Sequence, residues 1–238
     1  MISRRLFLAL TGAAVLAPPP TLAEERVPSV LDHVMLGCND LERGIAIVEE
    51  HTGVRAAFGG VHPHRGTANA LLSLGELHYL EIIAPNPKAT KVQPEAASLL
   101  TVLKGLTAPQ LITWAAHSSD LDALAKKLRD SGIAIVDPRP GSRKRPDGRV
   151  LSWKSFSLAD DHHGLLPFFI EWSSDSVHPS SDAPKGCQIE HFAAVDPDPG
   201  ELLKSFQRIG INMRVEHGTR AQLRAWISGP KGAIKLTS

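Results

Sequence analysis

The chain offers little sulfur chemistry. Its 238 residues contain two cysteines, Cys38 and Cys187, with no Cys-x-x-Cys. That spacing excludes a dithiol redox motif and a zinc knuckle, and packing is the expected role of both thiols. Aromatics are sparse at 5%, with a single tyrosine, and the formal charge is only +1. No block of like charge suggests a nucleic acid or an anionic membrane surface as partner. Beyond residue 23 no apolar stretch approaches the roughly 20 residues needed to span a bilayer. What remains is an ordinary mixture of apolar and polar residues, long enough to bury a sizeable core and bind a small molecule.

The N-terminus is the most legible targeting feature. Ser3-Arg4-Arg5-Leu6-Phe7-Leu8 opens an apolar run from Leu6 to Ala17, followed by Pro18-Pro19-Pro20 and the small-x-small exit Thr21-Leu22-Ala23. A charged start, a short apolar core and a small-residue exit make a secretory signal rather than a membrane span. The arginine pair resembles the twin-arginine type, whose cargo crosses already folded. Cleavage near Ala23 takes two arginines and no acid, leaving 24 basic against 25 acidic residues. The expected location is periplasmic or secreted.

The rest of the chain repeats itself, and repeats decide folds. Leu31 to Gly37 reads as a strand, Asn39-Asp40 as the cap of a helix running to Thr52, and Gly53 as its stop. Strands are expected over 54–58, 67–74 and 77–84, with the Gly-rich stretch 59–66 as a loop. The order is βαβββ, over residues 29–85. It returns over 110–172, where Asp120-Leu121-Asp122 answers Asp40-Leu41-Glu42 at an offset of 80. A third, divergent copy spans 188–238. Residues 86–109 form a connection whose 96–104 stretch has helical spacing and is expected on the outside. Residues 173–187 are a linker. The fold class is α+β: repeated βαβββ units with mixed sheets forming a concave cup. A third unit needs a partner for its own sheet, for which a second copy in a homodimer is one source.

Strand alternation places Leu31, His33 and Met35 on one face of the first strand, and Tyr79, Glu81 and Ile83 on one face of the fourth. Glu81 lies among apolar neighbours, where a carboxylate needs a metal, a cation or a proton. His62, His64 and Arg65 sit in the Gly-rich loop and suit an anionic or carbonyl substrate, while Asn69 has an amide to donate to a substrate oxygen. Asp160-Asp161-His162-His163-Gly164 reads as a surface turn. The basic stretch 139–145 reads as a solvated loop placed to close over an acidic substrate.

Leu31-Asp32-His33, the run Gly59-Gly60-x-His62-Pro63-x-x-Gly66-Thr67-x-Asn69-Ala70-Leu71, Tyr79 to Pro85, and Pro167 to Trp172 followed by His178-Pro179-Ser180 resemble the glyoxalase-like proteins of the vicinal-oxygen-chelate superfamily. In that superfamily a His, Gln or Glu of a unit's first strand and a Glu of its last converge on a divalent metal. The resemblance implies His33, Glu81 and His191 as metal ligands, for zinc, iron, manganese or nickel. It implies Glu171 as catalytic base and His62 as a second catalytic group, with Asn69 and Arg65 binding substrate. Thr113 and Lys235 stand where further ligands would be. The implied activity is a metal-dependent lyase or isomerase acting on a carbonyl compound. The alternatives are an iron(II) ring-cleaving dioxygenase built on His33, His191 and Glu81, and a cup that sequesters a small molecule without catalysis. Replacing Arg4 and Arg5 together with lysine should remove the mature form from the periplasmic fraction; unchanged export would refute the twin-arginine reading.

Overall fold

The computed structural model describes residues 26–238, so the expected signal sequence, residues 1–23, lies outside the described residues. The first unit is β1 (Leu31–Gly37), α1 (Leu41–Thr52), β2 (Ala57–His62), β3 (Thr67–Ser73) and β4 (Tyr79–Pro85). The second is β5 (Gln110–His117), α3 (Leu121–Asp130), β6 (Arg139–Lys144), β7 (Val150–Phe156) and β8 (Phe168–Trp172), with α2 (Ala97–Gly105) between them. Local chemistry sets the helix ends. The Asp40 and Asp120 side chains accept from the Arg43 and Ala123 amides, and Gly53, at φ 80°, closes α1 in the left-handed conformation.

The two units join into one eight-stranded mixed sheet, ordered β2-β3-β4-β1-β5-β8-β7-β6. Antiparallel pairing of β1 with β5 forms the seam. Strong curvature brings the outer strands β2 and β6 together, and the Arg143 guanidinium on β6 donates to the Gly59 carbonyl on β2. The result is a nearly closed cup. All seven residues of β1 and of β3 are buried, because one face meets the core and the other lines the cup.

Several local expectations differ from the structure. The second strand is 57–62, not 54–58, and carries Gly59-Gly60 through a register shift between Phe58 and Gly60. Within the 139–145 stretch, Arg139–Lys144 is a strand pairing β7, not a solvated loop, since its backbone completes the sheet and Arg143 is 4% exposed. Helix α2 is not purely external. Leu103 is fully buried against Met35 and Ile83, with Leu99 and Ile112 beside them, so α2 plugs one end of the cup.

The third unit comprises β9 (Gln188–Asp196), α5 (Pro199–Arg208), β10 (Val215–His217), β11 (Gln222–Gly229) and β12 (Gly232–Thr237), after a short helix α4 (Pro179–Asp182). It has the element order of the other two but a different strand order, β10-β9-β11-β12. In the first unit β1 lies beside β4; here β9 lies between β10 and β11. This sheet packs on the back of the cup within the same chain. Phe192 meets Trp114 edge-on at 5.3 Å, Phe206 lies 6.4 Å from the same indole, and one hydrophobic core runs through both sheets.

Closure of the cup needs small residues where β2 passes β6. A Cβ on Gly60, which sits at φ +140°, would come 2.8 Å from the Lys144 carbonyl oxygen, a backbone atom with little room to yield. Gly60→Ala should therefore cost about 1–3 kcal/mol in urea unfolding. A wild-type midpoint would show that the closure is not tight.

Candidate active site

The cup encloses a cavity of about 210 Å3 whose polar lining is uneven. The first unit supplies His33, His62, Asn69 and Glu81, with Arg65 at its rim. The second supplies Thr113, Arg143 and mostly apolar or aromatic surface, including Trp153, Phe168 and Ile170.

His33 is held from both sides. Its Nδ1 donates to Asp32 Oδ1 at 2.7 Å, and its Nε2 stands 3.5 Å from Glu81 Oε2. The ring stacks on Tyr79 with centroids 4.5 Å apart and meets the edge of Phe168. Sequence alternation placed Asp32 on the opposite face from His33. A register shift between Leu31 and His33 in the β1–β5 pairing removes that constraint, as bulges do. Leu31 accordingly joins the core behind the sheet, and the adjacent Asp32 and His33 side chains bond to each other.

Asp32 is 1% exposed and accepts three hydrogen bonds. Besides His33, its Oδ2 accepts from Trp172 Nε1 at 2.9 Å and from His178 Nε2 at 3.2 Å. His178 Nδ1 accepts from the Ser180 amide at 3.2 Å, which places the His178 proton on Nε2. Burial pushes the Asp32 carboxyl up, but the bonds from His178 and His33 outweigh it and hold the group well below the ordinary range.

Glu81 is 8% exposed. Its Oε1 accepts from Asn69 Nδ2 at 2.7 Å. The contact follows from register: Asn69 lies opposite Ile83, two residues along from Glu81 on the same face. Burial raises its pKa, yet His33 first, then His62, Asn69 and Arg143, lower it more, so the carboxylate stays ionised. His62, directly opposite Thr67 in the β2–β3 ladder, shares a hydrogen bond with the Thr67 hydroxyl at 2.9 Å.

The structure does not bring every candidate to the cup. Glu171 lies on the other face of β8 from Phe168, Ile170 and Trp172, so it does not face Glu81. Its Oε2 accepts from the Leu121 amide at 2.6 Å at the start of α3, where a helix N-terminus favours an anion. His191 belongs to the separate four-stranded sheet, where it lies 3.3 Å from Glu216 and packs on Trp226. It is not assembled with His33 and Glu81, because β9 sits in a sheet of different order behind the cup. Lys235, on β12, lies over the same Trp226 ring. Sequence reasoning gave Asp32 and His178 no role in the site, although both stand in the quoted motifs Leu31-Asp32-His33 and His178-Pro179-Ser180, and it put Arg143 in a solvated loop and not in the wall. The His178 run makes a capped helical turn that fixes the imidazole.

A family model described as Glyoxalase-like domain matches residues 31–210. This chain belongs to the glyoxalase-like family, within the vicinal-oxygen-chelate superfamily. No curated protein matches the chain by sequence. Among solved structures, a hypothetical protein from Staphylococcus aureus is 17% identical, with 87% of this chain and 84% of that chain covered at a TM-score of 0.62. Methylmalonyl-CoA epimerase from Mycobacterium tuberculosis is 23% identical over 65% of this chain and 94% of its own, at a TM-score of 0.45. The Streptomyces coelicolor epimerase in complex with 2-nitronate-propionyl-CoA is 20% identical over 62% of this chain and 100% of its own, at 0.46.

Divalent metals are common in the superfamily, so the donor set of this glyoxalase-like cup needs testing against one. Only His33 and Glu81 occupy ligand positions in the first unit. The second unit presents Thr113 on β5 and Phe168, Ile170 and Trp172 on β8. The Asp32 carboxylate is already committed to three donors. Among the described residues no three His, Cys, Asp or Glu side chains converge as a metal site. Two donors leave most of a tetrahedral or octahedral shell to the solvent or substrate, and this set does not fit a tightly held resident ion.

The pKa of His62 gives this site a signature in stability. Burial foremost, reinforced by Arg143 and Arg65 and opposed by Glu81, lowers it from 6.5 to about 4. The unfolded chain therefore takes up this proton more readily than the folded one. The contribution is fully present above pH 6.5 and is lost progressively as pH falls toward about 4. His62→Gln should flatten the stability profile across that window in urea melts at stepped pH; an unchanged slope would contradict the assignment.

Proposed function

We propose that this exported glyoxalase-like protein binds a small carbonyl compound in the cup and moves a proton at the carbon beside the carbonyl, as an isomerase or lyase does. The observation that carries the reading is the buried Asp32–His33–Glu81 chain facing a cavity of about 210 Å3. That volume is below the roughly 300–1,000 Å3 of drug-sized sites, so the substrate is small. The Arg4-Arg5 signal supports action outside the cytoplasm.

The roles follow from position. Glu81 is the ionised carboxylate on the cavity wall and serves as the base, the part first expected of Glu171. It takes the proton from carbon; the electron pair of that C–H bond forms a double bond to the carbonyl carbon, and the carbonyl π pair moves onto the oxygen. Asp32 fixes His33 with Nδ1 toward itself and Nε2 directed at the cavity; flanked by the Asp32 and Glu81 carboxylates, the ring in its imidazolium form donates from Nε2 to the forming oxyanion. Glu81 then returns its proton to the same carbon, or, in a 2-hydroxy carbonyl compound, to the former carbonyl carbon once the hydroxyl proton has passed to the other oxygen of the enediolate. Each proton and electron pair is accounted for within the substrate, so no oxidant is required. Tyr79 and Phe168 confine the imidazole, and the closed cup limits water.

The dioxygenase alternative lacks support, because His191 is remote from His33 and Glu81. Simple sequestration is favoured by one observation, the apolar second-unit wall where further ligands would stand. Proton exchange separates the readings. Pyruvate, dihydroxyacetone and methylglyoxal would be incubated with the protein in D2O and the protons beside the carbonyl followed by NMR. Wild type should accelerate exchange of at least one, and Glu81→Gln should slow it about 10²–10⁴-fold. No exchange with any of them would leave sequestration as the function. A divalent metal found at one equivalent per chain by elemental analysis would instead restore metal-assisted chemistry.

A further inference from the structure

Arg143 is a cation in the wall of the cup without a matching anion. It is 4% exposed and lines the cavity. The only hydrogen bond of its guanidinium among the described residues runs from Nη1 to the Gly59 carbonyl. Among the described residues no carboxylate lies within ion-pair distance of it. Glu81 acts on it through space, but the Glu81 oxygens are engaged by Asn69 and His33. A guanidinium has five N–H donors in a fixed fork, so most of this fork is left for a guest. Burying a charge with one neutral acceptor is costly, and cores rarely retain such a group unless something completes it.

The surroundings narrow the guest. His62 is held neutral at ordinary pH and so does not repel Arg143 or compete as a cation. Asn69 Oδ1, close to the same Gly59, has no hydrogen-bond partner. It therefore offers an acceptor to a hydroxyl or protonated oxygen beside the anion. Arg65 at the rim adds a second positive charge along the way in. The planar fork of arginine matches the two oxygens of a carboxylate better than a point charge does.

We infer that Arg143 anchors a carboxylate of the ligand, so that the cup takes small 2-oxo or 2-hydroxy acids rather than neutral carbonyl compounds. The inference rests on the small-molecule reading of the cup and adds the class of ligand. It places the carboxylate against the second-unit wall and the reacting carbon toward Glu81 and His33 on the first. Specificity then comes from one unit and proton transfer from the other.

Oxalate, which copies the enolate of pyruvate, is the probe, with its neutral diamide oxamide and inorganic phosphate as comparisons. In calorimetric titration of the mature protein, oxalate should bind at least tenfold tighter than either. Arg143→Gln should weaken oxalate at least 30-fold, with thermal melting showing whether the variant is folded. If loss of the Gly59 bond prevents folding, Arg143→Lys keeps the charge without the fork and should weaken oxalate at least fivefold. Oxamide or phosphate binding as tightly as oxalate, or wild-type oxalate affinity in the folded variant, overturns the inference. Glu81→Gln separates this from catalysis, since it should slow proton exchange about 10²–10⁴-fold while oxalate still binds. Oxalate binding by a wild-type protein that exchanges no proton would defeat the enzymatic reading and leave the carboxylate anchor standing.

Discussion

The carboxylate of Asp32 is the point at which three parts of the chain are tied. It sits on the first strand of the first unit, takes the indole N–H of Trp172 from the last strand of the second, and takes the His178 imidazole from the segment that follows. Its third bond sets the ring of His33. An anion at this depth is tolerable only while those donors are present, and each charge-assisted bond contributes on the order of 1.5–3 kcal/mol. The seam between the units, the linker path and the orientation of the His33 imidazole therefore depend on one side chain. The geometry facing the cavity, with Nε2 toward Glu81, is a consequence of that arrangement.

Duplication gave two copies of one strand order, but they do not share the work. The first unit carries the titratable groups, packed so that every one has a specific partner: His33 with Asp32 and Glu81, Glu81 with Asn69, His62 with Thr67. The second unit carries aromatic surface and a single buried guanidinium. In a symmetric site the second unit would add ligands; here its cup-facing residues on β8 are Phe168, Ile170 and Trp172. The corresponding acid, Glu171, is one residue out of phase with that face. It stabilises the start of α3 instead, which is a structural use of the same charge.

The C-terminal unit shows how element order and topology part company. Its βαβββ sequence folds with β9 between β10 and β11, so His191 has no neighbour equivalent to Glu81. Its apolar face covers the back of the cup through Phe192 and Phe206 against Trp114. Helix α1 lies between the eight-stranded sheet and the smaller one, touching β4 on one side and β12 on the other. That packing covers one face of the smaller sheet within the chain.

The sequence by itself determined the fold class, the helix caps at Asp40 and Asp120, and the shared face of Tyr79, Glu81 and Ile83. Those features depend on short-range chemistry and on periodicities of 2 and 3.6 residues, which survive in one dimension. Only the tertiary structure decided that Asp32 and His33 act together, because a single bulge breaks the alternation that separated them. It decided that Arg143 is a buried cation and not a loop residue, because burial there comes from the meeting of β2 and β6, 84 residues apart at Gly59 and Arg143. It placed Glu171 and His191 outside the cup for the same reason. Which face of a strand looks inward, and which strand lies beside it, are properties of pairing between distant segments and not of any segment alone.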